Sequence, residues 1–190
     1  MTDTTGPKIA PLTDATATDR QIELLAPLGP AGEMHIFRTI AVHPKLFRSW
    51  LPLGGRLLQG STLTPRVREI VILATAARCG SDYEWGQHVG IAREAGLTDD
   101  EIRACARPED ADGWTAEDRA ALDAAGQLVA DHRITDATWE ALVAAGWTDQ
   151  QLIELTFLAG HYAMLAGMLR SVGVVTETPL PAVGATQAAP

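Results

Sequence analysis

Residues 64–97 read TPRVREIVILATAARCGSDYEWGQHVGIAREAGL, and this stretch decides the fold. Thr64 can cap a helix and Pro65 suits its first position, where no backbone N–H is needed. The run Ile70 to Ala77, apolar but for Thr75, marks that helix as buried nearly all round. Gly80 ends it, and Ser81 starts a second helix on which Glu84 and His88 lie one turn apart, on one face. Glu69 shares its helix face with Ile72, Leu73 and Ala76 and so points inward. Two carboxylates and an imidazole thus meet around a helix–turn–helix core.

Outward from this core, no stretch alternates with the period of a strand, and alanine and leucine favour helix throughout. Thr98-x-x-Glu101 and Thr148-x-x-Gln151 fit the capping box. Thr115 caps a helix through about Asp131 and Thr135 another through about Ala145. Gly96 and Gly146 stand where helices stop. Pro44 separates a helix near Ala31–Val42 from one near Lys45–Gln59. The expectation is an all-α bundle of about eight helices joined by short loops. The longest internal loop falls in Ala104 to Trp114. Residues 1–19 and 176–190 read as flexible tails flanking a domain of residues 20–175.

Composition narrows the function. The chain has 190 residues, 46% of them hydrophobic, and a net charge of −9. That length suits one domain with a substantial core. An acidic chain disfavours nucleic acid and anionic membrane as partners, because both require clustered cations. The apolar stretch Leu152–Leu169, interrupted by Glu154 and His161, reads as a core helix. Cys79 and Cys105 form no disulfide framework, and with no signal pattern the expected location is cytoplasmic.

Buried carboxylates and an inward imidazole are the groups that general acid–base chemistry uses. Each has a structural alternative. Ser81-x-x-Glu84 is itself a capping box, His88 can be satisfied by a backbone carbonyl, and Arg66 can pair with Glu69. A metal is disfavoured, because di-iron bundles repeat a Glu-x-x-His spacing of three, whereas here the spacing is four and unrepeated. His161 and Tyr162 either line a pocket or form a hydrogen-bonded core pair. Trp50, Trp114, Trp139 and Trp147 pack the core or an interface.

Arg68-Glu69 with its apolar helix, Tyr83-Glu84-Trp85-x-x-His88, Ala92-x-x-x-Gly96-Leu97-Thr98 and Gly160-His161-Tyr162 together resemble the carboxymuconolactone decarboxylase family, which includes the alkylhydroperoxidase AhpD. The resemblance spans roughly Ala31 to Val175. It implies an all-helical, AhpD-like fold and a homo-oligomer: a trimer, hexamer or dimer. In the peroxidase branch a Glu, a Cys-x-x-Cys pair and a His form the site. Here the Glu and His fall on Glu69 and His88, while Ser81 and Glu84 occupy the cysteine positions. Thiol peroxide chemistry needs an activated cysteine with a resolving partner. The variant therefore resembles the cysteine-free decarboxylases, which need no metal or organic cofactor. The expected function is an acid–base enzyme that decarboxylates or isomerises a small organic acid or lactone. His88, Glu84 and Glu69 are its catalytic groups, and Arg66, Arg68, Ser81, Tyr83, Trp85 and His161 its substrate contacts. The alternatives are a non-catalytic binding or assembly module and a residual peroxidase using Cys79.

Overall fold

The computed structural model describes residues 6–107 and 113–188. Its elements are α1 (Asp19–Leu25), α2 (His35–Ile40), α3 (Pro44–Gln59), α4 (Pro65–Cys79), α5 (Asp82–Glu94), α6 (Asp99–Ala106), α7 (Ala116–Asp131), α8 (Asp136–Ala144) and α9 (Asp149–Val172), with no strand among the described residues. The all-α expectation is met. So are the caps: the hydroxyls of Thr64, Thr98, Thr115, Thr135 and Thr148 each accept a backbone N–H of the first turn.

α4 is the centre. Ile70, Val71, Ile72 and Leu73 have no solvent exposure, and α5, α6, α7 and α9 all pack on this helix. It starts at Thr64 and Pro65 and stops at Gly80, whose φ of 63° lies in the left-handed region that glycine enters without a Cβ penalty. That stop turns the chain directly into α5. α9 is the one helix among the described residues long and apolar enough to cross a membrane. In this fold Leu152, Leu155, Leu158 and Leu169 bury it in the core instead.

One expectation is corrected. The helix sought near Ala31–Val42 is short, running only from His35 to Ile40. Before it lies a 3₁₀ segment, Ala26–Glu33, broken at Gly29 (φ 54°) and containing Pro30. These residues cannot continue an α-helical hydrogen-bond ladder. Of the long loop, α6 takes residues as far as Ala106, and residues 108–112 lie outside the described residues.

The terminal stretches make specific contacts with the helices. Near the N-terminus, the Lys8 N–H donates to Val172 O and the Leu12 N–H to Arg38 O. Residues 176–188 form a strap along the outer face of α5. The Trp85 indole donates to Ala185 O at 2.7 Å, the Val183 N–H donates to Asp82 Oδ1 at 2.8 Å, and Arg93 and Arg103 hold Thr186. The Glu177 carboxylate accepts from the Tyr83 hydroxyl, the Gln87 amide and the His35 N–H at the start of α2. A Cβ at Gly86 would stand 2.7 Å from Leu180 Cβ, so the strap lies this close only because residue 86 has no side chain.

Candidate active site

Glu69 projects from the buried face of α4 and is 0% exposed. A buried carboxylate needs partners. Its Oε1 accepts from Arg68 Nε at 2.9 Å and its Oε2 meets His88 Nδ1 at 2.7 Å. The Gly80 turn brings α5 back along α4, so residues 19 apart in sequence become neighbours. His88, 7% exposed, has its Nε2 3.0 Å from the hydroxyl of Tyr162 on α9. With Nδ1 carrying the proton toward Glu69, Nε2 accepts from the phenol. Arg68, Glu69, His88 and Tyr162 therefore form one continuous chain of hydrogen bonds through the core.

Glu84 lies one helical turn before His88 and is 3% exposed. Neither of its carboxyl oxygens has a hydrogen-bond partner, nor has the hydroxyl of Ser81. The capping-box reading of Ser81 and Glu84 is thereby corrected, since no side-chain cap bond forms at Ser81. Burial raises the pKa of Glu84 to about 8, partly offset by the nearby Ser81 hydroxyl. At neutral pH the group is a carboxylic acid and a potential proton donor. The phenol of Tyr162 is pushed well above its usual range by burial and by the charges of Glu69 and Glu84, so it too keeps its proton.

Other expected contacts fall elsewhere. Arg66 turns away from Glu69 to Asp118 (3.0 Å) and Glu101, where the ion pair also holds Glu101 down at about 2. Glu69 takes its cation from Arg68, its neighbour in the chain. Tyr83 and Trp85 face the strap through Glu177 and Ala185. His161 is not bonded to Tyr162. Its ring packs edge-on against Tyr162 and stacks at 5° on Trp50, and its Nδ1 is buried without a partner. Tyr162, absent from the expected site residues, is the one directly bonded to His88. Its signal in the sequence is adjacency to His161 on an apolar helix, which does not reveal that α9 faces α5.

Two clefts flank this cluster. One, of about 380 Å³, is lined by Ser81, Asp82, Tyr83, Arg170 and the chain after α9. The other, of about 350 Å³, lies between α3 and α9 and includes His161. Neither is lined by Glu69, Glu84 or His88. Ser81 lines the first, and His161, whose ring packs on the Tyr162 that bonds His88, lines the second. No three His, Cys, Asp or Glu side chains among the described residues form a metal-binding group. The Cys79 thiol is pushed up by burial and by Glu84, and that of the buried Cys105 by burial, so neither is an activated thiolate.

Residues 44–127 match the carboxymuconolactone decarboxylase family. That segment runs from α3 into α7 and contains Glu69, Glu84 and His88. No curated protein matches the chain. Among solved structures, the chain is similar to an AhpD-core, peroxidase-related protein of Ralstonia eutropha JMP134, with 22% identity over 89% of this chain and 93% of that one and a TM-score of 0.74. A peroxidase-related protein of Silicibacter sp. TM1040 gives 16% identity over 93% and 96% and a TM-score of 0.78. The debrominase Bmp8, as a cysteine-to-alanine variant in complex with 2,3,4-tribromopyrrole, gives 14% identity over 93% and 95% and a TM-score of 0.75. These likenesses establish a shared fold. With the family match inside that fold, residues 44–127 resemble the carboxymuconolactone decarboxylase family, in a variant that reads Tyr83-Glu84-Trp85-x-x-His88.

Proposed function

We propose that the protein is a cofactor-independent acid–base enzyme that isomerises or decarboxylates a small organic acid, lactone or related carbonyl compound. The observation that carries this reading is the partnerless carboxylic acid of Glu84, one turn from an imidazole already held by a carboxylate and a phenol. A protonated carboxyl beside an imidazole places a proton donor next to a group that can accept one, as paired acid and base catalysis requires. The family match and a debrominase among the fold neighbours support an enzymatic scaffold.

In an isomerisation, Glu84 gives its proton to the substrate's carbonyl oxygen. His88 takes the proton leaving the adjacent carbon, directly or through the Tyr162 hydroxyl. The imidazolium returns its proton at a different carbon and the enol oxygen gives its proton back to Glu84, which restores the carbonyl and both enzyme groups. In a decarboxylation, the same acid protonates the carbon from which carbon dioxide leaves. Glu69 and Arg68 fix the imidazole and balance its positive charge while it holds the proton. The raised thiols give no support to a Cys79 peroxidase. The exposed side chains of Trp139 and Val143 on α8 support assembly with further copies of the chain.

The test is deuterium uptake from heavy water into a panel of small lactones and keto acids, followed by proton NMR. The parent protein is expected to label or convert at least one compound. His88→Ala and Glu84→Gln are expected to do neither while keeping a helical circular-dichroism spectrum. Undiminished labelling in both variants would overturn the assignment and favour a binding module on the same scaffold.

A further inference from the structure

The cleft between α3 and α9 has the make-up of a ligand site. Leu53, Phe157, Gly160, His161 and Met164 line its walls, and Thr156 is the one other polar side chain there. None is an acid, a lysine or an arginine. Its volume of about 350 Å³ lies at the lower end of what small-molecule sites use, and such sites combine apolar walls with a few placed polar groups.

His161 is that polar group. It is 7% exposed, and its Nδ1 is buried with no partner. Nδ1 is closed off from the cleft, so a ligand there reaches the ring through Nε2. The ring is held rigidly, flat on Trp50 at 6.1 Å and edge-on to Tyr162 at 5.6 Å. Burial lowers its pKa, so the imidazole is neutral at pH 7. A Cβ at Gly160 would meet nothing within 4 Å, so the cleft beside it is open.

Charge selects what can enter. Arg66 is committed to Glu101 and Asp118, and Arg68 to Glu69. An anion placed in the cleft would be desolvated without a counter-charge. We infer that this cleft binds an uncharged, largely apolar ring compound that hydrogen-bonds to His161. This deepens the functional reading by favouring the lactone or carbonyl over the carboxylate, and it rests on that reading only where the ligand is also the substrate. Through Tyr162, a ligand on His161 lies one side chain from His88.

Binding tests it without any turnover. The full chain is titrated at pH 7.5 with phenol, toluene and benzoate, which share a ring and differ in polarity and charge. Affinities are read by ligand-observed NMR and the mass by sedimentation. Phenol is expected to bind about tenfold more tightly than benzoate. Gly160→Leu, which fills the opening, is expected to weaken phenol about tenfold with unchanged mass. His161→Phe keeps a ring on Trp50 but removes the nitrogens, so phenol is expected to weaken while toluene does not. Equal affinity for benzoate, or phenol binding indifferent to both variants, would overturn the inference. So would absence of phenol binding with Gly160→Leu changing the mass, which would make the cleft a contact between copies.

Discussion

Glu69 Oε2 stands 2.7 Å from His88 Nδ1, and both side chains are buried. The other oxygen of the same carboxylate holds Arg68 at 2.9 Å. One side chain therefore satisfies a part-buried cation and orients the imidazole. Glu69→Ala is expected to strand both, at a cost of about 3–5 kcal/mol, the usual penalty for breaking a buried charge pair. Urea unfolding of that variant against His88→Ala, which leaves the Arg68–Glu69 pair intact, measures it. A smaller loss for Glu69→Ala than for His88→Ala would contradict the arrangement.

Glu84 makes stability fall with rising pH. Its carboxyl is protonated in the folded chain up to about pH 8, whereas the unfolded chain ionises it near the usual 4.5. Over that window the folded state binds the extra proton, so each pH unit lowers stability by about 1.4 kcal/mol at most, and the slope ends above about pH 8. Glu84→Gln is expected to abolish this slope and to be more stable than the parent at pH 8. Unfolding free energies at pH 5 and pH 8 for both proteins decide it. Activity that depends on the same proton is expected to decline as pH passes about 8.

Arg66 separates structure from catalysis. Its guanidinium ties α4 to Glu101 on α6 and Asp118 on α7, and lies over the Trp114 ring at 5.8 Å. Arg66→Ala is expected to cost about 1–3 kcal/mol, because the buried Asp118 loses its cation. Turnover on any compound identified in the labelling panel is expected to remain. Loss of turnover in a fully folded Arg66→Ala protein would return this residue to the substrate contacts.

Gly86 tests the strap. A Cβ there would sit 2.7 Å from Leu180 Cβ and 3.0 Å from Pro181 O. Gly86→Val is expected to displace residues 177–186 and destabilise the fold by about 1–3 kcal/mol. The Trp85 indole would lose its bond to Ala185 O, so the emission spectrum is expected to shift to the red. Protease cleavage between Thr176 and Thr186 should accelerate in step. An unchanged cleavage rate would show that the strap does not depend on this contact.

Much of this architecture is legible in the residues themselves. Threonine caps and glycine stops are local chemistry, and they mark the starts of α4, α6, α7, α8 and α9 and the end of α4. The inward faces of Glu69, Glu84 and His88 follow from helical periodicity. Partner choice does not. Arg66 and Arg68 differ by two positions, and only the placement of α6 and α7 decides that Arg66 leaves Glu69. Tyr162 reaches His88 across 74 residues, which no local pattern encodes. The strap has neither helical nor strand periodicity, and its hold on α5 comes from single bonds to Asp82, Tyr83, Trp85, Gln87 and Arg93.

His35 and Glu177 are 142 residues apart in the chain, yet the Glu177 carboxylate receives the His35 backbone N–H. Closing so wide a span costs entropy that is recovered only once the bundle between them stands. The strap therefore docks last in folding and lets go first in unfolding, without melting the helices beneath it. In hydrogen exchange, the indole N–H of Trp85 should exchange at the rate of this partial opening. The amides of Ile72 and Leu73 should wait for the whole molecule to unfold.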